Sequence, residues 1–154
     1  MAISQYEWRP RASWVLSTFV SGYTVGDTHN KKCMAYVDGF VITIPKKNVA
    51  AYKKMALEGK RAWMKEGALD YKECMMQDGK PKGVVFTFAK MAKAKPTDTV
   101  WFSYIVFKDK KHRDAVNKKV MKIMDAAYAE KKNQKMPFDM RRMAYAGFQG
   151  VVEA

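Results

Sequence analysis

Apolar and polar positions fall into a regular order from Tyr36 onward. The run Tyr36-Val37-Asp38-Gly39-Phe40-Val41-Ile42-Thr43-Ile44 is β-branched and aromatic, and Pro45 closes it, which predicts a strand. Asn48 is placed to cap a helix that runs to about Glu66. Val49, Tyr52, Met55, Ala56 and Trp63 form its apolar stripe, and Gly67 stands where a left-handed cap falls. Leu69 to Met75 alternates and predicts a second strand, and residues 77–83 form a turn-rich loop. Val84–Phe88 is a short extended segment, suited to a sheet edge or a pocket wall, and residues 89–95 give one helical turn before Pro96. Val100–Phe107 is the clearest strand. Asp109 then caps a helix from about Lys110 to Tyr128, whose inward stripe is Val116, Val120, Ile123, Met124 and Ala127. A loop through Met136–Asp139 leads to a last strand from about Met143 to Val152.

The order βαββαβ predicts an α+β, ferredoxin-like domain, a four-stranded antiparallel sheet with two helices on one face. An antiparallel sheet with one wet face alternates apolar and polar residues. The third strand does not: Val100, Phe102, Tyr104 and Val106 share one face, while Trp101, Ile105 and Phe107 share the other. The first strand is also two-faced, with Val37 and Val41 opposite Phe40, Ile42 and Ile44. So large an apolar patch calls for a partner, and the expectation is a homodimer packed sheet against sheet.

Residues 1–33 lack this order. Gly22, Gly26 and Asp27-Thr28-His29-Asn30 interrupt them, so they are expected to be a poorly ordered N-terminal extension, with Met34 as an alternative start. Residues 34–154 form the single domain. A hydrophobic fraction of 48% in 154 residues excludes wholesale disorder. No apolar run approaches the roughly 20 residues needed to span a bilayer, and the short stretch Trp14–Val20 has no cleavage site after it, so neither membrane spans nor a signal peptide are expected. Cys33 and Cys74 are far apart, which excludes a disulfide framework or zinc ribbon and fits a reducing cytoplasm. With His29 and His112 the only histidines, no metal or cofactor is expected. The net charge of +14 admits nucleic acid as a partner, but six of the 29 cations are Arg and the Lys residues are scattered, which favours a solvated surface.

Several segments carry a family resemblance: Met34-Ala-Tyr-Val-Asp-Gly-Phe-Val-Ile-Thr-Ile-Pro-Lys-Lys-Asn48, Lys93-Ala-Lys-Pro96, Val100–Phe107, Lys111-His-Arg-Asp-Ala-Val-Asn-Lys-Lys-Val-Met121 and Met136-Pro-Phe-Asp139. Together they resemble the YbaA-like proteins, bacterial domain-of-unknown-function family 1428, over residues 34–154. The resemblance is weakest over Val84–Phe88. It implies a ferredoxin-like subunit of the dimeric α/β-barrel type and no known activity. Some family members carry a label tied to signal-recognition-particle RNA, so a basic RNA-associated protein is the alternative reading. An RNA platform and a dimer would compete for the same sheet face.

The candidate chemistry is sparse. His112-Arg113-Asp114 lacks the spacing of a kinase catalytic loop, since Asn117 follows Asp114 by three positions rather than five. Asp38, inside an apolar strand beside Gly39, must be paired, hydrogen-bonded or protonated, and is equally suited to a base or to an ion pair with Arg141 or Arg142. His112 is a candidate acid–base group and Arg142 a candidate anion clamp. Trp63, Trp101, Tyr104 and Tyr145, with Phe107, are the aromatic residues expected to line a small-molecule pocket or fill the core.

Overall fold

The computed structural model describes residues 34–130 and 135–152; the expectations for residues 1–33 lie outside the described residues. The chain runs through β1 (Tyr36–Pro45), α1 (Val49–Glu66), β2 (Asp70–Met75), a single-turn α2 (Phe88–Met91), β3 (Asp98–Phe107), α3 (Lys110–Glu130) and β4 (Ala144–Gln149). The strands form one sheet in the order β2-β3-β1-β4, and every pair is antiparallel. This is the ferredoxin-like βαββαβ arrangement.

Alternation decides which side chains meet the helices. From β1, Asp38, Phe40, Ile42 and Ile44 face α1 and α3; from β3, Trp101, Ser103, Ile105 and Phe107 do so. Two apolar clusters result. One gathers Ile42, Ile44, Tyr52, Ala56, Trp101 and Phe138 under α1. The other gathers Ala68, Ile105, Phe107, Val116 and Val120 under α3. Gly67 ends α1 at φ 113°, the left-handed cap the sequence requires. Asp109 starts α3 by accepting the His112 N–H at 2.7 Å.

Four local expectations need correction. Asn48 precedes α1 but makes no side-chain cap; its Nδ2 donates to the Pro137 carbonyl at 2.7 Å, tying the helix start to the loop before β4. Val84–Phe88 forms no strand and adds to neither edge of the sheet. Thr87 instead caps α2, its hydroxyl accepting the Lys90 N–H. Ile123 is exposed: Met124, one turn beyond Val120, takes the inward position. The last strand stops at Gln149, and Val151 and Val152 are exposed.

The second face of the sheet is only partly open. Phe88 of α2 lies with its ring centroid 6.1 Å from that of Phe102, and Val41, Thr43 and Val100 on that face are buried. Farther along, Phe102 and Phe148 are 43% and 57% exposed. No helix among the described residues is long and apolar enough to cross a membrane.

Candidate functional site

The β2–β3 register places Glu73 directly opposite Ser103, and β3 pairs Ser103 with Phe40 of β1. These are facing positions on the helix side of the sheet, beneath α1. Glu73 Oε1 accepts a hydrogen bond from Tyr71 Oη at 2.7 Å. Its Oε2 accepts from Tyr52 Oη at 2.7 Å and from the Ser103 hydroxyl. Three neutral hydroxyls thus converge on one carboxylate, and among the described residues no cation forms an ion pair with it. Burial and the adjacent Glu73 charge push both the Tyr52 and Tyr71 phenols well above their ordinary range, so they remain donors.

This cluster forms part of the wall of a cavity of about 180 Å³ between the sheet and the helices. Phe40, Tyr52, Trp63, Tyr71, Tyr104 and Phe138 supply its aromatic surface. Met55, Met124, Met136, Met140 and Met143 supply soft thioether surface. Tyr71, Glu73 and Ala56 also line a second, outer cleft of about 450 Å³, with Lys53, Lys60 and Lys72 at its rim and Trp101 within it. Glu73 therefore stands at the partition between an inner cavity and an outer cleft.

The second polar group on the helix side is centred on Asp38, which is 1% exposed. Tyr145 Oη and Asn117 Nδ2 each donate to it at 3.1 Å, and Arg113 Nε lies 3.6 Å away. The partner that sequence assigned to Arg141 or Arg142 is thus Arg113 of α3. Burial disfavours the Arg113 cation, but the Asp38 charge, the Tyr36 hydrogen bond and the Tyr145 and Asp114 charges together outweigh that and hold its pKa above the usual value. The guanidinium also lies over the Tyr36 ring, 4.9 Å from its centroid, and donates to Tyr36 Oη at 3.1 Å. Gly147, opposite Asp38, leaves room for that phenol, since a Cβ there would run into Tyr36 Oη. Burial, then the Asp38 charge, pushes the Tyr145 phenol up to about 12. Asn117 Oδ1 in turn accepts from Trp63 Nε1 at 2.9 Å, joining this network to the cavity wall.

The remaining sequence candidates separate. Arg142 donates to Asp98 Oδ2 at 2.8 Å and to the Lys93 carbonyl at 3.0 Å, fastening the turn after α2 to the segment before β4. Burial alone would raise the Asp98 pKa, but the Lys95 N–H and the Arg142 guanidinium outweigh it and hold the carboxyl below its usual range. His112 Nδ1 accepts the Lys108 N–H at 3.2 Å, and its ring stands edge-on to Phe107. Asp38, His112 and Arg142 are therefore not brought together, and none of them lines the inner cavity. Of the four aromatic candidates, Trp63 and Tyr104 line the cavity, Trp101 lines the outer cleft, and Tyr145 serves Asp38.

Glu73, Tyr52, Tyr71 and Ser103 escaped the sequence reading. The signal was available: Glu73 shares its face with Tyr71 and Met75, and Ser103 is the one polar residue on a face with Trp101, Ile105 and Phe107. Among the described residues, no group of three or more His, Cys, Asp and Glu could hold a metal ion.

Fold and site together define a ferredoxin-like α+β domain with a polar cluster between helices and sheet. Residues 35–140 match the family model described as Protein of unknown function (DUF1428), and the chain belongs to that family. The uncharacterized protein YbaA of Escherichia coli strain K12 is 38% identical over 120 residues, covering 78% of this chain and 99% of the relative. Proteins of the same name from Escherichia coli O157:H7 and Shigella flexneri match with the same identity and coverage.

Proposed function

We propose that this domain binds a small organic molecule in the cavity between sheet and helices, and that it works as a homodimer in a reducing cytoplasm. One observation carries the ligand reading: an aromatic- and methionine-lined cavity with a few convergent polar groups, the combination common to small-molecule sites. Sequence reasoning put the pocket between paired sheets, whereas this cavity lies on the opposite face and belongs to one chain. Its Met55, Met124, Met136, Met140 and Met143 methyls provide the test. A fragment screen read by ¹³C-methyl NMR on the whole chain should find compounds that shift these five signals as a group. Shifts confined to other methionines, or none across the screen, would remove the cavity as a binding site.

The dimer reading rests on the open part of the second face, where Phe102 and Phe148 stand exposed. Burying that surface against a second copy would remove both rings from water. Sedimentation equilibrium of the full chain should give a dimer mass, and Phe148→Lys should shift it toward monomer. A monomer at micromolar concentration overturns the dimer and leaves the cavity untouched. The exposed thiol of Cys74 fits a compartment that keeps cysteines reduced.

A further inference from the structure

We infer that the cavity selects a small organic cation, a quaternary or protonated amine held against Glu73 by an aromatic wall. This rests on the reading that the cavity binds a small molecule. The chain carries 29 Lys and Arg against 15 Asp and Glu, yet the one charged side chain lining this cavity is acidic. Glu73 is bonded by three uncharged hydroxyls and has no cationic partner among the described residues. Lys53, Lys60 and Lys72 stand around the outer cleft that Glu73 also lines, but among the described residues none of them forms an ion pair with it, and Lys72 is held by Asp70.

A half-buried carboxylate beside a largely apolar cavity gains from a counter-charge placed inside that cavity. The walls suit one. Tyr52, Tyr71 and Trp63 lie around the cluster, with the Trp63 and Tyr71 centroids 6.2 Å apart, and the faces of such rings carry the negative side of the aromatic quadrupole. Methionine sulfur adds polarisable surface around a methylated nitrogen. An anion would face Glu73 with no cation lining the cavity to offset the repulsion. A neutral apolar molecule would fill the space and leave the carboxylate without its counter-charge. An ammonium N–H has an acceptor as well, because Oε1 receives only the Tyr71 hydroxyl and keeps a further acceptor position.

The experiment compares choline with its uncharged isostere, in which the quaternary nitrogen is replaced by carbon. The two have nearly the same shape and differ in charge. Titration calorimetry on the full chain, with methionine-methyl NMR to locate binding, should show choline binding at least about tenfold tighter, within the range of desolvated cation–aromatic contacts. Glu73→Gln should abolish that preference while the isostere still binds. Should this variant fail to fold, the wild-type comparison decides alone. Equal affinities, or tighter binding of the isostere, overturn the cation and leave the cavity as a neutral-ligand site. If neither compound moves the cavity methyls, the cation inference falls; hits from the fragment screen would then keep the cavity, and a blank screen would remove it too.

Discussion

Asp38→Ala is expected to destabilise the domain by about 3 kcal/mol, the low end for breaking a buried ion pair, because Arg113 keeps Asp114 and Tyr36. The Asp38 side chain is 2% exposed, and its loss takes an acceptor from Tyr145 and Asn117 and leaves Arg113 with Asp114, 3.3 Å away, and the Tyr36 hydroxyl. Asp38→Asn restores an acceptor for the two neutral donors but no charge for Arg113, so it should fall between wild type and alanine. Asp38→Ala combined with Arg113→Met should recover part of the loss, because the buried cation disappears with its partner. Urea unfolding followed by circular dichroism measures all four proteins. A fully folded Asp38→Ala with near wild-type stability would show that the network contributes little, and would return Asp38 to the candidates for a role in ligand chemistry.

Phe107→Ala should cost a similar amount for a different reason. Phe107 has 0% exposure and packs with Ala68, Ile105, Val116 and Val120 between β3 and α3. Truncating a fully buried Phe removes its transfer free energy and leaves a hole that the neighbours fill only in part, about 3–5 kcal/mol in all. Phe107→Leu should lose much less, since most of the volume remains. The same urea titrations give both values; a loss below about 1 kcal/mol for the alanine variant would mean that α3 collapses onto the sheet to close the gap.

The sheet and its helices were legible because they rest on local order. Period-two alternation fixed both faces of β3, Pro45 ended β1, and Gly67 and Asp109 marked helix ends by the conformations and donors that helix termini require. The site was less legible, because its partners meet only through the sheet register. Nothing near Asp38 in the chain names Arg113, which reaches it across the β1–α3 contact; Arg141 and Arg142 were nearer guesses by composition, but Asp139 and Asp98 hold them. Glu73 falls on the apolar half of its alternating strand with Tyr71 and Met75, but nothing in β2 itself names Tyr52 and Ser103 as its partners until that face is placed under α1. Val84–Phe88 misled in the opposite direction: β-branched and aromatic residues favour a strand only where packing on a sheet supports them, and this segment leads instead into α2, which Thr87 caps.

The strand order has a consequence for synthesis. Among the described residues β1 is the first element made, but both of its partners come late: β3 begins at Asp98 and β4 at Ala144. While the ribosome extends the chain at roughly 5–20 residues per second, the run from Val37 to Ile44 therefore waits for seconds with its backbone unpaired. Only the β2–β3 pair joins consecutive strands; α1 can form while β1 waits for β3, and β1's other edge stays unpaired until β4 is made. A nascent chain released before Gln149 lacks part of β4 and leaves one edge of β1 open to pairing with another copy, which makes premature termination near the C-terminus more hazardous for solubility than its few missing residues suggest.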